Sequence, residues 1–184
     1  MEYSRKNILV LTVVMEGFAL LLAFALSWYF RISLFPLTDN IYRDISLGTA
    51  GALLPIAFFL YAMSRHAEKI ASLRSLRNRV RTDIKAIFSN TGLPDLVLIS
   101  LMAGFSEEML FRGVIQTEFG IFIASIVFGL MHAISAAYVI VTIVMGIYIG
   151  AFYYYSGSLL VPVQIHFIYD LAALMYLRYC IAED

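Results

Sequence analysis

The amino-acid sequence predicts an all-α protein, a polytopic membrane helix bundle of about six transmembrane helices with a basic amphipathic connector helix. Three observations predict it. Hydrophobic residues make up 61% of the 184 residues and charged residues only 14%, against roughly 45–50% and about 25% in an average soluble domain. The mean hydropathy is +0.84, and so short a chain has too little interior to hide that much apolar surface from water. The apolar residues fall into runs near the ~20 residues that a helix needs to cross the ~30 Å hydrocarbon core. The 13 Lys and Arg balance the 13 Asp and Glu, so nothing in the charge calls for a nucleic-acid partner. A single cysteine, Cys180, excludes an internal disulfide framework and a CxxC metal site.

The first span runs from about Ile8 to Phe30 and carries one charge, Glu16. Arg5 and Lys6 before an apolar run also begin a signal peptide, but this run is longer than a signal core and ends in Trp28, Tyr29, Phe30 and Arg31. Those residues suit an interfacial anchor, so a retained helix is expected. For Glu16 an interhelical polar contact is expected. The second span covers Ile45 to Met63, with Pro55 expected to kink it. Then the composition changes abruptly. Arg65, Lys69, Arg74, Arg77, Arg79, Arg81 and Lys85 face only Glu68 and Asp83, while Ile70, Leu73, Leu76, Val80, Ile84 and Ile87 recur at helical spacing. A basic amphipathic helix on the membrane surface accounts for both features; a solvated loop is the alternative. Positive charge marks the cytoplasmic side, which puts the N-terminus and this connector inside and the loop from Arg31 to Asp44 outside. Four further spans fit near residues 94–117, 119–137, 138–155 and 158–178, and return the C-terminus to the cytoplasm. Their connections are short, so neighbours pack antiparallel. Gly104, Gly113, Gly129 and Gly146 are expected where helices approach closely, and Tyr153, Tyr154 and Tyr155 in an outer aromatic belt. The chain thus divides into two helices over 1–63, the connector over 64–92, and a four-helix core over 93–184.

Six ionisable residues of that core fall inside predicted spans: Glu107, Glu108, Arg112, His132, His166 and Asp170. Each charge at the bilayer centre is unfavourable by roughly 2.5–3.5 kcal/mol on insertion scales, so they are expected to meet in a polar interior. At ~1.5 Å of rise per residue, Glu107, His132 and His166 all fall within about 5 Å of the midplane. Glu108 and Arg112 stand at i and i+4 and can pair along one helix face. Glu107, turned about 100° away, is left free. His166 and Asp170, and Phe128 and His132, repeat the i, i+4 spacing. Two carboxylates and two imidazoles can then converge from three helices.

The segment Glu107-Glu108-Met109-Leu110-Phe111-Arg112 matches an EExxxR motif, Phe128 to His132 matches FxxxH, and His166 to Asp170 matches HxxxN/D. In this order on successive membrane helices they resemble the CPBP family, which includes type II CAAX prenyl endopeptidases and bacteriocin self-immunity proteins of Abi type. The resemblance covers about Leu93 to Arg178 and is to a short prokaryotic member. It implies intramembrane hydrolysis of a peptide bond in a hydrophobic, prenylated or otherwise lipidated peptide, in a prokaryotic cell membrane among its lipids. The residue matching Glu107 would be the general base, acting with His132 on a water. His166 and Asp170 would stabilise the oxyanion, and Glu108, Arg112 and Phe128 would support them. Hydrolysis needs a base within reach of water and donors aimed at the tetrahedral oxygen. Glu, His and Asp are also competent zinc ligands, so a metal held by Glu107, His132 and His166 is an open alternative to a metal-free mechanism. Two other functions compete. A proton-coupled transporter carries such residues near the midplane, but no internal repeat is visible. A non-catalytic scaffold or immunity protein would keep the fold and its polar cluster.

Overall fold

The computed structural model describes residues 4–180; the ends of the two outer segments, 1–3 and 181–184, lie outside the described residues, and with them the expected position of the C-terminus. Among the described residues the chain is helical throughout, with no strand. Helix α1 spans Arg5–Phe30 and α2 Ile41–Met63. A short 3₁₀ turn, Arg65–Lys69, leads into the connector helix α3, Ala71–Phe88. Helix α4 is Leu93–Phe119, α5 Ile121–Met131, α6 Ala136–Ser156 and α7 Leu160–Cys180. Helices α1, α2, α6 and α7 are long and apolar enough to cross a membrane, and α3 and α4 form a pair bent by 112° that passes the same test together.

The expected count of six spans needs one correction. The stretch expected to span 119–137 forms only the 11-residue α5, which at ~1.5 Å per residue is about 17 Å long. Gly120, at φ 86°, starts it in a conformation that suits glycine, and the helix ends at His132 with φ −101° and ψ 29°. Pro55 lies buried within α2, which runs on past it.

The bundle is built by close backbone contact. A Cβ added at Gly104 of α4 would lie 3.0 Å from the backbone nitrogen of Phe167 in α7. One added at Gly146 of α6 would lie 2.9 Å from Cβ of Ser125 in α5. Gly129 faces Val139 and Ile143 of α6, so three of the four glycines stand where helices meet, whereas Gly113 faces Leu34 and Leu159 in the connecting segments. With no hydrophobic force between helices in lipid, such close packing holds them together. The outward faces remain apolar, as at Val14, Phe18 and Leu21 of α1 and Ile140 and Val144 of α6. Trp28, Tyr29, Tyr154 and Tyr155 are largely exposed near helix ends, whereas Tyr153 turns inward, its hydroxyl 3.2 Å from that of Thr117.

One end of the bundle collects the basic residues. The guanidinium of Arg5 forks onto Asp95 with two 2.7 Å hydrogen bonds, and Asp95 also accepts from the backbone N–H of Gly92 at 2.9 Å. This ties the first turns of α1 and α4 together and makes the two helices parallel. Arg178 donates to the carbonyl of Thr91 at that end. The connector is a helix, not a loop, and it packs on the bundle. Leu76 and Val80 are buried against Phe59, Met63 and Leu177, and Arg77 donates to the carbonyl of Met63 and pairs with Glu68.

Candidate active site

Glu107 and Glu108 end the regular α-helical part of α4. From Met109 to Gln116 the helix widens to π geometry, which recurs at functional sites because it re-aims side chains. The two glutamates diverge, as their spacing requires. Glu108 points into the protein and is fully buried, as is Arg112. Arg112 Nη1 donates to Glu108 Oε1 at 2.9 Å, and Nη2 donates to the carbonyl of Gly146 at 3.2 Å. The guanidinium also lies 4.9 Å from the centre of the Phe128 ring, a cation–π contact that strengthens when water is excluded.

His166 joins this cluster from α7. Its Nδ1 donates to Glu108 Oε1 at 2.6 Å, and its Nε2 lies 3.3 Å from Asp170 Oδ2. Sequence spacing pairs His166 with Asp170 alone and misses Glu108. The available signal is that Glu108 shares a helix face with Arg112, so a carboxylate turned into the core needs further donors from a neighbouring helix. Phe128 is the spacer of the site. Its ring packs edge-on against Phe111 and His166 and lies 4.5 Å from His132 between centroids.

Glu107 turns about 100° away from Glu108 around α4, towards the cavity. Its Oε2 is buried without a hydrogen-bond donor among the described residues and stands 3.7 Å from His132 Nε2. His132 sits where α5 ends, so its side chain is freed from the helix wall. Its Nδ1 lies 2.8 Å from the carbonyl oxygen of Phe128. A carbonyl only accepts, so Nδ1 carries a proton, and Nε2 is the ring nitrogen turned to Glu107. Glu107 and His132 therefore face one another beyond direct hydrogen-bonding distance.

Glu107, Phe128, His132, His166 and Asp170 border a cavity of about 450 Å³, within the usual range for a small-molecule site, while Glu108 and Arg112 lie behind its wall. Glu16, Glu107, His132, His166 and Asp170 line it on one side. The rest is mostly apolar and includes Phe59, Met63, Leu76, Val80, Met145 and Leu177. The connector helix thus forms part of the cavity wall.

The residues expected to meet do so, but not as a metal site. Among the described residues no three His, Cys, Asp or Glu side chains are arranged to hold a metal ion. His166 has a carboxylate near each ring nitrogen. Glu107, His132 and His166 do not form such a group in this arrangement.

Comparison with known proteins agrees with the motifs. Residues 89–172 match the family model described as type II CAAX prenyl endopeptidase Rce1-like. That segment contains Glu107, Glu108, Arg112, Phe128, His132, His166 and Asp170. The uncharacterized protein YpbD of Bacillus subtilis (strain 168) is 35% identical over 99 residues, covering 52% of this chain and 52% of that protein. The chain thus spans about half the length of this curated relative. No solved structure matches.

Proposed function

From the match of residues 89–172 to the type II CAAX prenyl endopeptidase Rce1-like family model, we propose that this integral membrane protein is an intramembrane endopeptidase of that family. Its substrate is a membrane-associated peptide, prenylated or otherwise lipidated, whose apolar part occupies the cavity. The observation that carries the reading is that Glu107 Oε2 and His132 Nε2 face one another 3.7 Å apart; with the carboxylate ionised and the imidazole neutral, as the reaction requires, both are acceptors. A water molecule has two O–H donors and is the natural partner of two such acceptors. It donates to both and is held with its oxygen lone pair free for attack.

The chemistry follows. The water oxygen attacks the scissile carbonyl while Glu107 takes its proton. The tetrahedral oxygen receives a hydrogen bond from Nε2–H of protonated His166, which turns to it from Asp170 Oδ2, 3.3 Å away in the resting site. Collapse breaks the C–N bond, and the proton held by Glu107 passes to the departing nitrogen. Glu108 and Arg112 do not touch the substrate: they fix His166 from behind, through the 2.6 Å bond to Nδ1. No step uses a metal or another cofactor. The basic end faces the cytoplasm of a prokaryotic cell, following the positive charge of the connector. The partners are membrane lipids and the peptide, with no nucleic acid.

The test compares wild type with Glu107→Gln for cleavage of a panel of lipidated and transmembrane peptides in detergent. Gln keeps the size and removes the base, so turnover is expected to vanish while thermal stability stays within a few degrees. A Glu107→Gln protein that cleaves normally overturns the assignment.

A further inference from the structure

Helix α1 lies outside residues 89–172, yet it delivers a carboxylate to the same cavity. Glu16 lines it together with Glu107, His132, His166 and Asp170, and it lies within electrostatic range of His166, Asp170 and Glu107. Thr12, one helical turn earlier, borders the cavity too. The interhelical contact expected for Glu16 is not found at Oε2, which is buried and has no hydrogen-bond partner among the described residues.

Folding does not explain such a group. A buried acceptor left without a donor destabilises a protein, and an apolar side chain of similar size would serve α1 better, since its neighbours Met15 and Phe18 face outward and are apolar. A side chain that weakens the fold and borders the reaction space is explained by what enters that space. On the peptidase reading above, an extended peptide segment enters. Its backbone N–H groups leave water for a largely apolar cavity, where each needs an acceptor. The carboxylates of Glu107 and Asp170 are engaged with the water and with His166. Glu16 is the remaining acidic acceptor on the cavity wall.

The geometry points to Glu16 as a substrate-binding residue, whose free carboxylate oxygen accepts a hydrogen bond from a backbone N–H of the peptide held beside Glu107 and His132. This rests on the peptidase reading of the site. It adds a contact from a helix that the family match does not cover.

Glu16→Leu and Glu16→Gln test it with three measurements in one detergent. The first is cleavage of a fluorescence-quenched peptide ending in an S-farnesylated CAAX sequence. The second is equilibrium binding of that peptide to each variant combined with Glu107→Gln. The third is thermal unfolding. Loss of one hydrogen bond to a charged acceptor corresponds to roughly a tenfold change in affinity. Glu16→Leu is therefore expected to lower kcat/KM about tenfold, chiefly through KM, and to weaken binding about equally. Its Tm should equal or exceed that of wild type, because an unpartnered buried acceptor is gone. Glu16→Gln keeps an acceptor oxygen and should retain most of the affinity. A Glu16→Leu protein that binds and cleaves like wild type overturns the inference and leaves the peptidase reading standing. Binding that depends on Glu16 without cleavage by wild type does the reverse. A Tm several degrees lower for Glu16→Leu assigns the residue to the fold and overturns the inference whatever the activity.

Discussion

Replacing Arg112 with leucine probes the buried cluster without any knowledge of the substrate. Arg112 and Glu108 have side chains 1% and 0% exposed, so the change leaves a carboxylate deep in the bundle facing an apolar group. Breaking a buried pair by removing one partner destabilises by about 3–5 kcal/mol. Two details of the site adjust that range. Glu108 keeps its 2.6 Å bond from His166, which holds the loss to the lower end. The cation–π contact with Phe128 and the bond to the Gly146 carbonyl are lost as well, which raises it slightly. About 3 kcal/mol remains, and for a chain of this size ~2–4 °C of Tm per kcal/mol gives a drop of roughly 6–12 °C. The assay is the fraction of protein that stays monodisperse in size-exclusion chromatography after heating in detergent. Adding Glu108→Gln to Arg112→Leu removes the orphaned charge. The double variant should recover part of the loss, a coupling of at least about 1 kcal/mol. A single variant within about 2 °C of wild type, or a double variant no better than the single, would refute the claim that the pair is a coupled buried unit.

Three further outcomes are expected. Asp170→Asn should keep much of the cleavage activity and Asp170→Ala lose most of it, because an amide oxygen can still orient His166; equal loss in both, read as kcat/KM, would show that the charge itself is required. Chelators should leave peptide cleavage unchanged, because no three His, Cys, Asp or Glu side chains among the described residues are grouped to hold a metal ion; inhibition that added zinc reverses would establish a metalloenzyme. In a Cys180→Ser background, needed because Cys180 is exposed, Ser75→Cys should react with an impermeant thiol reagent only from the cytoplasmic face. Labelling in intact cells from outside would invert the orientation.

Much of this site was legible in the chain because membrane burial makes charge conspicuous. Glu107, Glu108, Arg112, His132, His166 and Asp170 stand out against apolar surroundings, and i, i+4 spacing gives the Glu108–Arg112 pair directly. Spacing along one helix says nothing about which face meets another helix, so the bond from His166 to Glu108 and the fork from Arg5 to Asp95 could not be read. Hydropathy also hides breaks in apolar runs. Residues 119–137 read as one span, yet Gly120 and the turn at His132 cut it to 11 helical residues. The connector's helical spacing was plain, while its burial against Phe59, Met63 and Leu177 depends on where two distant helix ends lie.

The short α5 has a consequence for the lipid around it. Phe122, Ile123, Ile126, Leu130 and Met131 all face outward, so this flank offers the bilayer an apolar band only about 17 Å tall where the neighbouring helices offer enough for the ~30 Å hydrocarbon core. Lipids meet such a mismatch by thinning locally, at a fraction of a kcal/mol for each ångström. The thin spot lies against the end of the helix that carries His132. On the peptidase reading the second substrate is water, and this thinner flank would give it the shorter path to the imidazole of His132.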